Sequence, residues 1–261
     1  VTNSSAAPVA VVTGAASGIG AACVTLLRSR GWRTAGIDLR DSDTDLSSRV
    51  DVTDAEAVTI AIKAALERFG RIDLVVSAAG YYEEGIDVVD ITREQWDRML
   101  AVILGGTVNV SAAALPTMLA QDSGTIIAIS SELALAGSAT DLHYVAAKGA
   151  VLGFIKSLAV EVAHTGVRVN AVAPGPTDTP LLAADSIWRL PEYLAQLPLG
   201  RLVKPEEIAG AVYYLATEGS PYCGEVLSPN AGAVIWARPR RSGWRGMALR
   251  WPSTTWSQVS G

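Results

Sequence analysis

The sequence predicts an α/β fold built on a parallel sheet, and three observations predict it. Short apolar runs rich in β-branched residues alternate along the chain with longer stretches compatible with helix. The first of these runs, Val9 to Thr13, passes directly into a glycine cluster and then a helical stretch. A later one, Leu74 to Ala78 (LVVSA), is nearly all apolar, as a strand covered on both faces must be.

Size and composition fit that class. The chain has 261 residues, 49% hydrophobic and 18% charged, which is enough for one large core and argues against disorder. A formal charge of −5 gives no reason to expect nucleic acid or an anionic membrane as a partner. Cys23 and Cys223 lie far apart and form no metal-ligand spacing, so neither a disulfide framework nor a metal site is expected. Val9 to Val12 is too short for a signal core or a membrane span, and a soluble cytoplasmic protein is the expectation.

In chain order, Val9–Thr13 is the first strand. Gly14-Ala-Ala-Ser-Gly18-Ile-Gly20 follows, then a helix ending near Gly31. Glycines allow a tight turn and close approach of a ligand, and the helix N-terminus offers unpaired N–H groups to a phosphate. The spacing is G-x-x-x-G-x-G, which departs from the general dinucleotide fingerprint G-x-G-x-x-G. A second strand, Arg33–Asp38, ends on an acid about twenty residues after the turn, where a carboxylate can bind the ribose hydroxyls of NAD and repel a 2′-phosphate. Arg40 stands close enough to accommodate that phosphate instead.

Arg49–Val52 reads as a short third strand, and Thr53 with Glu56 reads as the capping box of a helix to about Phe69. Leu74–Ala78 is the fourth strand and leads into Ala79-Gly80. Thr92 and Gln95 repeat the capping box and open a long helix to about Ala120, adjusted near Gly105-Gly106 and Pro116. Thr125–Ser130 and Val167–Val172 are the fifth and sixth strands, with a helix from His143 to Val162 between them. Such alternation implies βαβ units, whose ligands bind at the carboxyl ends of the strands. Gly14, Asp38, Asp51, Gly80, Ser131 and Pro174 all stand at such ends.

One stretch carries candidate chemistry, SELALAGSATDLHYVAAK from Ser131 to Lys148. Tyr144 and Lys148 are one helical turn apart and project from one face, a spacing also found in ordinary surface pairs. An ammonium near a phenol favours the phenolate and suits the tyrosine to proton transfer. Ser131 follows a strand, where its hydroxyl can meet a substrate oxygen.

Taken together, Thr13-Gly14-x3-Gly18-Ile19-Gly20, Asp51-Val52, Ser131, Tyr144-x3-Lys148, Pro174-Gly175 and Gly200-Arg-x3-Pro-Glu-Glu-Ile-Ala209 resemble the classical short-chain dehydrogenase/reductase family over about residues 8 to 235. The resemblance implies one NAD(P)-binding catalytic domain (residues 1–235) with a Rossmann-like, doubly wound, seven-stranded parallel sheet in the order 3-2-1-4-5-6-7. It also implies a homotetramer. Tyr144 would be the general acid/base, Ser131 would hold the substrate oxygen, and Lys148 would bind the nicotinamide ribose and lower the tyrosine pKa. Gly14, Ser17, Gly18 and Ile19 would wrap the pyrophosphate, Asp38 would take the adenosine ribose, and Asp51 with Val52 the adenine. Ala79 and Gly80 would pass beside the nicotinamide ribose, and Pro174, Gly175, Thr177 and Thr179 would flank the nicotinamide.

Two departures from the family stand out. Its Asn-Asn-Ala-Gly motif reads Ser77-Ala78-Ala79-Gly80, losing side chains that tie neighbouring strands. Its fourth catalytic residue, an asparagine, is replaced by Ile103, which has no side-chain donor or acceptor. Asn109, six residues on, is not an obvious substitute.

The segment after Thr179, about residues 180–200, is leucine-rich with Trp188 and Tyr193 and would cover the substrate. Leu133, Leu135, His143, Tyr81 and Tyr82 are expected at the same pocket, which suggests an apolar or aromatic-bearing secondary alcohol or ketone as substrate. Residues 236–261 carry five arginines, four tryptophans and no acid, and suggest an arm that packs on a neighbouring subunit. The leading expectation is an NAD-dependent alcohol dehydrogenase or carbonyl reductase. A dinucleotide-binding scaffold without turnover, and a dehydratase or epimerase, are the alternatives.

Overall fold

The computed structural model describes residues 7–234, so the stretch 236–261 and the intersubunit role expected of it lie outside the described residues. Seven parallel strands form one sheet: β1 (Val9–Thr13), β2 (Arg33–Asp38), β3 (Leu46–Arg49), β4 (Leu74–Ser77), β5 (Gly124–Ile129), β6 (Val167–Val172) and β7 (Val226–Leu227). Their spatial order is β3-β2-β1-β4-β5-β6-β7, as the resemblance implies. The order reverses between β1 and β4, which pair with Val11 opposite Val75. That reversal opens a crevice at the carboxyl ends of the strands.

The apolar runs are continuous because both faces are covered. Val11, Val75, Ile126 and Ala128 face one core, while Val12, Val76, Ile127 and Ile129 face the other. The first face is covered by α2 (Ala55–Phe69), α3 (Arg93–Leu100), α4 (Gly106–Gln121) and α6 (Leu142–Glu161). The second is covered by α1 (Gly18–Ser29) and α8 (Pro205–Thr217), which pack on each other. Two short helices, α5 (Leu133–Ala136) and α7 (Pro191–Leu194), complete the set.

The helical stretch Arg93–Gln121 is long and apolar enough to cross a bilayer by length and composition. Met99, Ile103, Val110, Ala114 and Met118 along it are instead fully buried in the first core. Its capping box forms as expected: Gln95 N–H donates to Thr92 Oγ1 (3.2 Å) and Thr92 N–H donates to Gln95 Oε1 (3.0 Å). The adjustment near Gly105 is a π-helical turn, Ala101–Gly105, between α3 and α4. Extra-wide turns of this kind recur at functional sites.

Two local expectations are corrected. The third strand is Leu46–Arg49, ahead of the expected Arg49–Val52, and pairs with Ala35–Asp38. Val52 is instead drawn under α4, where Asn109 Nδ2 donates to its carbonyl (2.8 Å). Asp54 replaces Thr53 as the cap of α2, accepting from Ala57 N–H (2.9 Å). A carboxylate satisfies that N–H and also complements the positive helix end. Thr53 turns back and donates its hydroxyl to Asp51 (2.9 Å).

The turn from β1 to α1 is the tightest place in the fold. Gly14 has φ +68°, and a Cβ there would lie 2.9 Å from Ala78 O and Ala79 N on β4's exit. A Cβ on Gly20 would fall on the carbonyl oxygen of Gly14. Backbone cannot yield as a flexible side chain does, so added volume is expected to cost the full overpacking penalty. Gly20→Ala is therefore expected to lower stability by about 1–3 kcal/mol or more, read as a lower denaturant midpoint; an unchanged midpoint contradicts this packing.

Candidate active site and dinucleotide cradle

At the carboxyl edge of the sheet lies a cavity of about 1130 Å³. Gly14, Ser17, Gly18, Ile19, Asp38, Asp51, Val52, Ala79, Gly80, Ser131, Tyr144, Lys148, Pro174, Gly175, Thr177 and Thr179 all line it. Gly14, Asp38, Ala79, Ser131 and Pro174 stand there because a strand ends just before or at each of them, and Tyr144 and Lys148 reach it from α6.

One half of the cavity is a cradle made mostly of backbone. Ser17 caps α1 without a side-chain hydrogen bond, and the first turn holds no acid, so the helix presents free N–H groups and its positive end. Asp38 at the end of β2 accepts from Ala16 N–H and Arg40 N–H, each at 3.0 Å, which fixes its carboxylate against the glycine turn. Arg40 reaches across and donates to Ser17 Oγ (3.1 Å). Thr13 Oγ1, wholly buried, accepts from both Ala78 N–H and Ala79 N–H at 3.1 Å. Across the cavity, Gly175 lies against Asn230, where a Cβ would come within 2.6 Å of its Cα. Thr177 donates its hydroxyl to the Gly175 carbonyl (2.8 Å). A Cβ on Gly18 would approach Thr179 to 3.3 Å, so this part of the cradle also depends on glycine. A helix N-terminus, a glycine turn and a strand-end carboxylate are the donor set that fits a dinucleotide.

The lost asparagines of the fourth strand are compensated from elsewhere. Ser77 Oγ and Thr107 Oγ1 hydrogen-bond at 3.0 Å, and Thr107 Oγ1 donates on to the Ile103 carbonyl (2.7 Å). β4 is thereby tied to α4 in place of the neighbouring strand. Ile103 itself is buried, and its Cγ1 approaches Gly80 from the side where Lys148 Nζ also approaches.

The other half of the cavity holds Ser131, Tyr144 and Lys148. Lys148 Nζ donates to Ile129 O (2.7 Å) and lies 5.7 Å from the centroid of the Tyr144 ring. Ser130 Oγ donates to the Lys148 carbonyl (2.9 Å), so helix and strand end are clamped in both directions. Burial pushes the Tyr144 phenol up to about 12, while the Ser131 hydroxyl, hydrogen-bonded to it, pulls the other way. Burial also brings Lys148 down to about 8. The expected lowering of the tyrosine by the lysine is thus corrected: desolvation is the largest influence on both groups, and Ser131 supplies the opposing pull.

The segment 180–200 is tied to this half by side-chain hydrogen bonds. Trp188 Nε1 donates to Tyr82 Oη (3.0 Å), and Tyr82 donates to Asp141 Oδ1 (2.8 Å) at the start of α6. Ser186 Oγ donates to Glu84 Oε2 (2.7 Å), and Arg189 Nη1 binds Asp178 Oδ1 (2.7 Å). The Tyr82 ring meets Tyr144 edge-on at 4.9 Å between centroids, and Tyr193 stacks edge-on against Trp188 at 4.8 Å.

Tyr81, Tyr82, Leu133 and Trp188 line the cavity as expected; Leu135 and His143 do not. His143 is buried behind it, 3.2 Å from Glu83 through Nε2, because the first turn of α6 points it away from the opening. Sequence reasoning missed Glu132, Arg98 and Leu182, which also line the cavity. For Glu132 a signal was present: an acid directly after a strand-end serine and before the apolar run Leu133–Ala136. Among the described residues, no cluster of three or more His, Cys, Asp or Glu side chains could hold a metal.

The sequence and the fold have counterparts among known proteins. A family model described as enoyl-(acyl carrier protein) reductase matches residues 14–233. A 3-oxoacyl-(acyl-carrier-protein) reductase of Thermotoga maritima is 35% identical over 246 residues, covering 87% of this chain and 98% of its own. The cis-4-hydroxycyclohexanecarboxylate dehydrogenase of Sinomonas cyclohexanicum is 37% identical over 237 residues, covering 86% and 95%. The crystal structure of levodione reductase matches with a TM-score of 0.82 at 27% identity, covering 86% of this chain and 96% of the other.

Proposed function

The chain belongs to the short-chain dehydrogenase/reductase family of nicotinamide-dependent oxidoreductases, and we propose that it is an NAD-dependent enzyme interconverting a secondary alcohol and a ketone. The observation that carries this reading is the opening of Ser131, Tyr144 and Lys148 onto the same cavity as the glycine cradle. The apolar and aromatic lining from Leu133, Tyr82, Leu182 and Trp188 supports a substrate with an apolar or aromatic substituent.

A nicotinamide bound in the cradle supplies hydride to the substrate carbon or takes it up. Tyr144 gives its proton to the carbonyl oxygen during reduction and takes it back during oxidation. Its raised pKa keeps the phenol protonated at neutral pH, the form that reduction needs. Ser131 donates to the same oxygen and holds it beside the phenol. Lys148 remains largely charged at neutral pH despite its lowered pKa, and has donors beyond the one given to Ile129 O. We assign its remaining donors to the hydroxyls of the nicotinamide ribose. Ile103 contributes no relay, so proton exchange with solvent runs past Lys148 by backbone and water.

Tyr144→Phe is expected to lower kcat by about 10²–10⁴-fold, the usual worth of a positioned general acid. The assay follows nicotinamide absorbance against a panel of secondary alcohols and ketones. Full activity in the variant would remove Tyr144 from its role. Ile103 favours a second reading, a dinucleotide-binding scaffold, which the same assay detects as NADH binding without turnover of any substrate.

Asp38 supports NAD over NADP, since its carboxylate at the end of β2 opposes a 2′-phosphate. Arg40, exposed and tethered to Ser17, favours the opposite preference. Asp38→Ala, and Asp38→Asn as the variant that keeps an acceptor for Ala16 N–H, are expected to raise the NADP/NAD ratio of kcat/KM. An unchanged ratio in both contradicts the assigned contact.

A further inference from the structure

One carboxylate in the cavity has no part in the chemistry above. Glu132 follows Ser131 directly, and its backbone is fixed on both sides. Its N–H donates to Pro174 O (2.8 Å), and its carbonyl accepts from Leu135 N–H (2.9 Å) and Ala136 N–H (3.0 Å). The residue is 4% exposed, yet it lines the cavity beside Leu133, Tyr82 and Trp188. Among the described residues its carboxyl has no hydrogen bond and no ion pair. The groups that feel its charge are the phenols of Tyr144 and Tyr193, neither of which neutralises it.

Burial alone pushes this carboxyl up to about 7. A buried acid without a partner is costly, and a fold that holds one rigidly at a cavity wall leaves the partner to the ligand. Consecutive Cα atoms are about 3.8 Å apart, so a group meeting Glu132 lies close to the oxygen held by Ser131.

Resting on the oxidoreductase reading, we propose that Glu132 is a substrate-binding residue that selects ketones and alcohols bearing a second hydrogen-bond donor beside the reacting carbon. That donor is a hydroxyl or an ammonium, and a carboxylate in the same place is rejected. The donor supplies the missing partner, whereas a second anion repels the first in a poorly solvated site.

The test uses the full chain and four aryl ketones that differ in one group on the carbon next to the carbonyl: methyl, hydroxyl, ammonium or carboxylate. Since these groups change the carbonyl itself, each kcat/KM is taken relative to the methyl ketone and compared between parent and variant. In Glu132→Leu, the relative values for hydroxyl and ammonium are expected to fall about tenfold, the size of a hydrogen bond to a charged group. The carboxylate's relative value is expected to rise. Glu132→Gln is expected to restore the hydroxyl value and leave the ammonium value low. Relative values within about twofold of the parent in both variants overturn the proposal. Should neither variant fold, the parent decides alone through competitive inhibition by analogues without a carbonyl: 2-phenylethylammonium must inhibit more tightly than 3-phenylpropanoate, and the reverse order overturns the proposal. Reduction of none of the four overturns the oxidoreductase reading and this inference with it.

Discussion

Two buried hydrogen bonds join the end of β5 to α6, Lys148 Nζ to Ile129 O and Ser130 Oγ to Lys148 O. Each bond has one partner on the strand and the other on the helix, so neither element can slide without breaking both. Bonds of this kind contribute about 0.5–1.5 kcal/mol each, and about 1.5–3 where one group is charged. The geometric consequence matters more. Ser131 is the next residue on the strand side, and Tyr144 is one turn back on the helix side, so the clamp sets the distance between hydroxyl and phenol. β4, the glycine turn and the Pro174 loop are then arranged around that fixed point by the parallel sheet, whose strands all end on one edge.

Within this frame, burial tunes the reactive groups more than any ion pair does. The same apolar surroundings push Tyr144 up and Lys148 down, moving the proton affinities of phenol and ammonium apart, so that the phenol holds its proton more tightly than the ammonium does. The π-helical turn at Ala101–Gly105 brings Ile103 to the Gly80 wall and leaves its carbonyl to Thr107. The segment 180–200 adds a second layer, since Tyr82 joins Trp188 to Asp141 at the start of α6 and also touches Tyr144.

The alternation of strands and helices was legible in local signals, namely a glycine turn between strand and helix, apolar runs, and Tyr144-x3-Lys148 on one helix face, whereas the sheet order and most of the cavity residues came from the family resemblance that these motifs carry. β3 was misplaced because an edge strand need not be apolar, and Ser47-Ser48 give no periodic signal. The ties that matter most were illegible because their partners are distant in sequence. Ser77 with Thr107, Asn109 with Val52 and Trp188 with Tyr82 meet only after the chain has crossed the sheet. His143 shows the converse: a histidine next to the tyrosine is close in sequence yet faces Glu83 behind the cavity. Glu132 escaped because an acid in a loop resembles any solvated charge until its burial is known.

The central claim is that this cavity carries hydride between a nicotinamide and a substrate carbon. The most direct measurement is the mass of the alcohol formed from a ketone in the presence of NADH deuterated at C4, each face labelled in turn. The account predicts one deuterium on the carbinol carbon for one labelled face and none for the other. Alcohol formed without deuterium from either face, or NADH bound with no alcohol formed from any ketone, would contradict it.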